Sequence, residues 1–226
     1  MPFIKLDSNF QGVNLGAWRI EEDEMFFLER VKLYENEWKR LSEISHAEKR
    51  LEWLSSRLCM KELLKIANDQ RIESLNNHYG KPYLSNDKHH ISYSHSSKYA
   101  AAIASLDSEV GIDIEYRKRK KPRNLRTRFL FMNEAELSFY EVNSSMELFL
   151  LIWSTKETIY KMHGQGVAFK DNIFLDFGNF SQKDNGILPV IVKKDNWTKS
   201  YEISYDIHDE FILTYTRERL YEGVQP

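Results

Sequence analysis

The tripeptide Ile-Ser-Tyr occurs at residues 91–93 and again at 203–205, 112 positions apart in a chain of 226 residues. At that offset Tyr99 falls on Phe211, and the apolar run after Tyr99 falls on Ile212 and Leu213. Each half also carries a tryptophan-led helical stretch with basic residues, Trp53 to Lys61 in the first and Trp153 to Lys161 in the second. A chain that repeats one supersecondary unit has few arrangements open to it. The reading is an α+β fold, a pseudo-twofold duplication of two similar α/β halves, residues 1–106 and 107–226, with a ligand cleft between them.

The rest of the pattern is compatible with that division. Helical periodicity runs from Glu24 to Leu41, from His46 to Ala67, over 125–131 and 134–141, and from Met146 to Met162. Strand-like alternation marks 90–94, 99–105, 110–115, 173–177, 188–192, 201–205 and 211–216, and Gly80 and Pro82 make 78–83 read as a loop. Hydrophobic residues at 42% with few Gly and Pro exclude a disordered chain. The lone Cys59 excludes an intramolecular disulfide and suits a reducing compartment. The longest apolar run, Leu148 to Trp153, is far too short to cross a bilayer, so the expectation is a cytoplasmic protein without a membrane anchor.

Chemistry concentrates in two stretches. Val110-Gly-Ile-Asp-Ile-Glu115 reads as a half-buried strand, with Asp113 and Glu115 on one face and Ile112 and Ile114 on the other. Trp153, Glu157 and Lys161 recur every four residues, which puts them on one helix face. If strand and helix pack together, three carboxylates and an ammonium converge. Like charges about 4 Å apart repel by roughly 4 kcal/mol at an effective dielectric near 20. A hard divalent cation, most plausibly magnesium, would relieve that repulsion.

Other features are weaker alone. Glu157 and Lys161 could be a surface ion pair, and Arg50 and Arg57 surface charge on a helix. The Ser94-His95 pair lacks a G-x-S-x-G elbow or a partnered acid, so nucleophilic catalysis is not expected. The run from Arg117 to Arg128 carries eight basic residues in a chain of net charge -2. It suits a polyanion, but no aromatic interleaves it and no nucleic-acid fold signature is present, so nucleic acid is not the expected partner. An acidic protein partner steered by this run, or a solvated loop, remains open.

His90-Ile-Ser-Tyr-Ser-His95, Gly111-Ile-Asp-Ile-Glu115 and Trp153-Ser-Thr-Lys-Glu157 with Lys161, in this order and spacing, resemble the signature set of the 4'-phosphopantetheinyl transferases. Gly80-Lys81-Pro82 and the helix around Arg50 to Arg57 extend the likeness to roughly residues 45–166. The length resembles the double-length, Sfp-type branch, a pseudo-dimer in one chain. The resemblance implies transfer of 4'-phosphopantetheine from coenzyme A to a serine of an acyl or peptidyl carrier protein, with release of 3',5'-ADP. It implies magnesium on Asp113, Glu115 and Glu157, with Glu157 also a candidate general base. Lys161 and Lys156 would neutralise phosphate charge, Ser94 and His95 would grip a phosphate, and Lys81 would hold the 3'-phosphate or adenine end. Arg50 and Arg57 would be further nucleotide contacts, the basic run 117–128 the carrier's docking surface, and the protein a monomer. A catalytically silent scaffold that binds coenzyme A or a carrier is the alternative, with a nucleic-acid-binding protein using the basic run 117–128 a more remote one. Thr155, Thr158 and Tyr93 depart mildly from the family's smaller residues.

Overall fold

Strand alternation decides the layers. The computed structural model describes residues 3–67, 70, 72–118, 125–164, 166–178, 180–181 and 183–218. The first half contains β1 (Phe3–Leu6), β2 (Val13–Arg19), α1 (Glu24–Val31), α2 (Glu35–Ser42), α3 (Ala47–Leu63), β3 (Ser74–Asn76), β4 (Pro82–Leu84), β5 (His90–Ser96) and β6 (Tyr99–Ser105). The second contains β7 (Val110–Tyr116), α4 (Arg128–Phe131), α5 (Glu134–Val142), α6 (Met146–His163), α7 (Phe169–Asn172), β8 (Ile173–Leu175), β9 (Asn185–Lys194), β10 (Trp197–Ile207) and β11 (Phe211–Arg217). Two antiparallel sheets result, in the orders β1-β2-β6-β5-β4-β3 and β7-β11-β10-β9-β8. Apart from the added β1, the orders correspond strand for strand.

The registers correspond as well. Ser92 opposes Ile103 as Ser204 opposes Tyr215, and Tyr93 opposes Ala102 as Tyr205 opposes Thr214. The repeated tripeptide therefore sits at one structural position in both halves. The fold is α+β with two similar halves.

Alternate residues of each strand serve different layers. Tyr99, Ala101 and Ile103 of β6 join Leu15, Val110, Ile112, Ile114, Leu213 and Tyr215 in a core between the sheets. Ala100, Ala102 and Ala104 face outward into a second core under Leu54, Leu58 and Cys59 of α3. On the opposite side, α6 packs Phe149, Ile152 and Ile159 onto Ile203 and Ile212. The order of layers is thus helix, sheet, sheet, helix. Each fully buried Ile or Leu contributes on the order of 2 kcal/mol. Because sheet and helix cover β7 from both sides, the strand read as half-buried is buried along its whole length.

Local chemistry fixes the helix ends. The Ser145 hydroxyl accepts the Leu148 N–H at 3.0 Å to start α6, and Gly164, at φ 74°, ends it. The stretch from Glu24 to Leu41, read as one helical run, is two helices: Lys32 adopts φ 55°, which closes α1, and the Glu37 carboxylate accepts the Tyr34 N–H to open α2. The stretch 78–83 is not wholly loop either. Gly80, at φ 80°, makes the turn, and Pro82 begins β4, a position that needs no ladder donor. Among the described residues no helix is long and apolar enough to cross a membrane.

Gly111 marks where α6 lies closest to β7. A Cβ there would meet the Thr158 carbonyl oxygen at 2.2 Å and the Met162 Cβ at 2.9 Å. Gly111→Ala must push α6 off the strand, and overpacking of this kind costs roughly 1–3 kcal/mol. Thermal unfolding should register it as a drop in Tm of several degrees; an unchanged Tm would contradict the close approach.

Candidate active site

The edge of β7 turned away from β11 meets β5, which pairs with β4 only where Tyr83 opposes His90. No backbone ladder joins β5 to β7; side chains bridge them instead. The Ser94 hydroxyl accepts the Ile114 N–H at 3.1 Å and donates to Asp113 Oδ1 at 2.8 Å. Two residues on, the Ser96 hydroxyl accepts the Tyr116 N–H at 3.0 Å and donates to Glu115 Oε2 at 3.0 Å. The helix completes the set around Asp113: Ser154 donates to Oδ2 at 2.7 Å and Lys161 Nζ lies 2.7 Å from Oδ1. Asp113 and Glu115 are both nearly inaccessible, at 4% and 3%. A buried carboxylate is tolerable only with such partners.

Glu157 and Trp153 join Asp113, Glu115 and Lys161 in lining a cleft of about 450 Å³. Arg40, Arg57 and Lys81 bring positive charge to the cleft, which the His95 ring also lines. The Arg57 guanidinium stacks 3.4 Å from the Trp53 ring centre and 5.4 Å from that of Tyr93. Burial pushes its pKa down to about 10, which still leaves it charged at neutral pH. Its Nε is buried with no hydrogen-bond partner, an unsatisfied donor in the cleft wall. Lys81 is anchored by Glu109 and by the Met162 carbonyl at 2.5 Å. His95 Nδ1 lies 2.8 Å from the buried Glu52.

One cleft wall therefore carries carboxylates and the other cations, and residues of both halves contribute. The duplication does not make a second copy of the carboxylate pair. By register, Asp113 opposes Thr214 as Gly16 opposes Ala102, and Glu115 opposes Ile212 as Trp18 opposes Ala100. Where the second half has Asp113 and Glu115, the first has Gly16 and Trp18, packed against Phe3.

A family model described as the 4'-phosphopantetheinyl transferase superfamily matches residues 109–216, the stretch holding β7, α6 and the second sheet. The 4'-phosphopantetheinyl transferase gsp of Aneurinibacillus migulanus is 29% identical over 160 residues, 67% of this chain and 65% of the relative. The 4'-phosphopantetheinyl transferase of Bacillus subtilis is 28% identical over 140 residues, 60% of this chain and 58% of the relative. Over residues 109–216 the chain is similar to the 4'-phosphopantetheinyl transferase superfamily. The matched segments span less than two thirds of the length of either relative.

The side chains bear on the metal expectation directly. Three carboxylates facing one cleft are an all-oxygen donor set, the type a hard divalent cation takes. Among the described residues, however, no three Asp, Glu, His or Cys side chains are drawn together tightly enough to form a ready metal cage. The Lys161 ammonium already rests on Asp113. The repulsion expected among the carboxylates is thus relieved from within the chain, and the donors fit a cation by type.

Several other expectations need correction. Lys156 does not reach the cleft: it is fully buried, 2.8 Å from Glu136, and donates to the carbonyls of Phe169 and Ile173 at 2.7 Å each. Burial holds its pKa below the usual lysine range, with Glu136 opposing. One residue before Glu157, it points to the other side of α6. Arg50 is turned away too, paired bidentately with Glu24 and donating to the Leu41 carbonyl. Ser94 lines the cleft, but its hydroxyl is spent on β7 and Lys161, so it holds the strands together rather than standing ready for a phosphate. Of the basic run, Arg119, Lys120, Lys121 and Arg123 lie outside the described residues. Its first members are engaged, Arg117 with Glu147 and the His208 carbonyl and Lys118 with Glu210 at 3.8 Å. Glu52, Ser154 and Thr214 were not anticipated; the only signal was polar residues on otherwise apolar faces.

Lys156→Met should leave Glu136 charged and uncompensated in the core, a loss of roughly 3–5 kcal/mol. Adding Glu136→Gln should recover much of it. Denaturant unfolding measures both, and a Lys156→Met variant as stable as wild type would contradict the buried pair.

Proposed function

We propose that the protein is a magnesium-dependent 4'-phosphopantetheinyl transferase that moves the phosphopantetheine arm of coenzyme A onto a serine of an apo acyl or peptidyl carrier protein. The observation that carries this is one cleft, acidic on the β7–α6 side and cationic on the α3–β4 side. A nucleotide with a pyrophosphate and a further phosphate needs both: cations for its anionic oxygens, and carboxylates to hold its countercation. When bound on Asp113, Glu115 and Glu157, magnesium would supply charge neutralisation to the pyrophosphate.

The chain's own groups have separable roles. Lys81, Arg57 and His95 bind and orient the phosphates. Lys161, 25% exposed beside Asp113, stabilises negative charge on the phosphoryl oxygens during transfer. Glu157 accepts the carrier serine's proton. A P–O bond forms to the serine oxygen as the P–O bond to 3',5'-ADP breaks. Most of the acceleration comes from positioning and charge stabilisation. Residues of both halves line the cleft, so it needs no partner subunit to complete it, which fits the proposed monomer, and the basic run 117–128 is the proposed docking surface for an acidic carrier. The single free cysteine, buried in α3, is compatible with the cytoplasm as its location.

The test is a mass spectrum of apo carrier proteins after incubation with the protein, magnesium and coenzyme A. Wild type should convert a carrier to its holo form, and chelation of the metal should stop it. Glu157→Gln should slow turnover at least about a hundredfold, the usual scale for removing a general base. Wild-type rates for Glu157→Gln would remove it from the chemistry, and no conversion of any carrier would overturn the activity.

A further inference from the structure

Glu52 is a carboxylate on the wrong face of its helix. Its neighbours Trp53 and Leu54 belong to the core beneath α3, and Glu52 is itself only 3% exposed. Its two oxygens divide their work. Oε1 accepts the Ser97 N–H at 3.0 Å, at the turn where Ser97 is held at φ 55°. Oε2 lies 2.8 Å from His95 Nδ1 and 2.6 Å from Lys49 Nζ. Lys49 is 58% exposed and can swing into water, whereas His95 is fixed by its strand and opens onto the cleft. Burial alone would raise the Glu52 pKa, and the bonds from His95 and Lys49 outweigh it, so the carboxyl is held ionised.

We infer that Glu52 is the positioning residue of the cleft, a buried carboxylate that fixes the His95 ring through Nδ1 so that Nε2 faces the phosphate site. This rests on the proposed coenzyme A reading of the cleft. The hydrogen bond at one ring nitrogen dictates what the other nitrogen offers. With Nδ1–H directed at a carboxylate, a second proton at Nε2 is stabilised across the ring, and Nε2–H can donate to an anion. Holding Ser97 as well, Glu52 ties the turn and the histidine to one helix. Neither contact touches substrate, so its effect is on binding geometry rather than on the transfer step.

The decisive variant is Glu52→Gln. Its carbonyl oxygen still accepts the Ser97 N–H, but its amide nitrogen now faces Nδ1 as a donor, so the ring proton must move to Nε2. Side-chain nitrogen-15 spectra, with His95 assigned by its loss in His95→Gln, should give a protonated Nδ1 in wild type and an unprotonated Nδ1 in Glu52→Gln. In the coenzyme A complex, both ring nitrogens should be protonated in wild type and only Nε2 in the variant. The Kd for coenzyme A, by titration calorimetry at one pH, should rise about tenfold, the scale of one charge-assisted hydrogen bond, with kcat nearly unchanged. A variant that loses thermal stability but keeps wild-type coenzyme A affinity would reduce Glu52 to a structural role. An unprotonated Nδ1 in wild type would remove the contact itself. If wild type fails to bind coenzyme A, the functional reading falls, and the ligand-free spectra still decide whether Glu52 sets the His95 ring.

Discussion

Two serine hydroxyls join the halves of this molecule at the site. β5 and β7 belong to different sheets with no backbone ladder between them, and side chains of β5 reach the unpaired edge of β7. Ser94 and Ser96 fill the gap, each taking a β7 amide proton and giving its own to a β7 carboxylate. Each hydroxyl thus satisfies a buried N–H and a buried oxygen at once, and leaving either unmet would cost about 1–3 kcal/mol. The same bonds orient Asp113 and Glu115 at the cleft. Joining the halves and building the acidic wall are therefore one interaction.

The duplication explains why the cleft exists and its breakdown explains why there is one acidic wall. Strand order and register repeat across the halves, and residues of both line the cleft. The residues facing that pocket do not repeat. Gly16 and Trp18 close the first half's position with Phe3, while Asp113 and Glu115 leave the second's polar. The carboxylate pair therefore stands on one side of the cleft only.

Much of this was legible in the sequence because it depends on periodicity. Alternation at 110–115 put Asp113 and Glu115 on one face, and the four-residue recurrence of Trp153, Glu157 and Lys161 put them on one side of α6; all five line the cleft. What failed depends on partners distant in sequence. Lys156 adjoins Glu157, and nothing local reveals that Glu136 waits in the core; Arg50 likewise meets Glu24 from another helix. That β7 is covered on both faces follows from the sheets stacking, which no single strand's pattern encodes. Short β3 and β4 carry too few residues to show a period, and one left-handed residue, Lys32, was enough to divide a helical run. Glu52 was overlooked because a glutamate beside apolar residues reads as a boundary until the strand it grips is known.

The measurement that bears most directly on this account is the unfolding free energy of the double variant Ser94→Ala, Ser96→Ala, by denaturant titration. Both side chains are buried and small, so the replacement creates little cavity and chiefly removes the hydroxyls. If they are the bridge, two buried amides and two carboxylates lose a partner together, and stability should fall by roughly 2–6 kcal/mol, with the amides of Ile114 and Tyr116 losing hydrogen-exchange protection. A double variant as stable as wild type, with those amides still protected, would mean that β5 and β7 are held by something else and that the acidic wall does not depend on the serines.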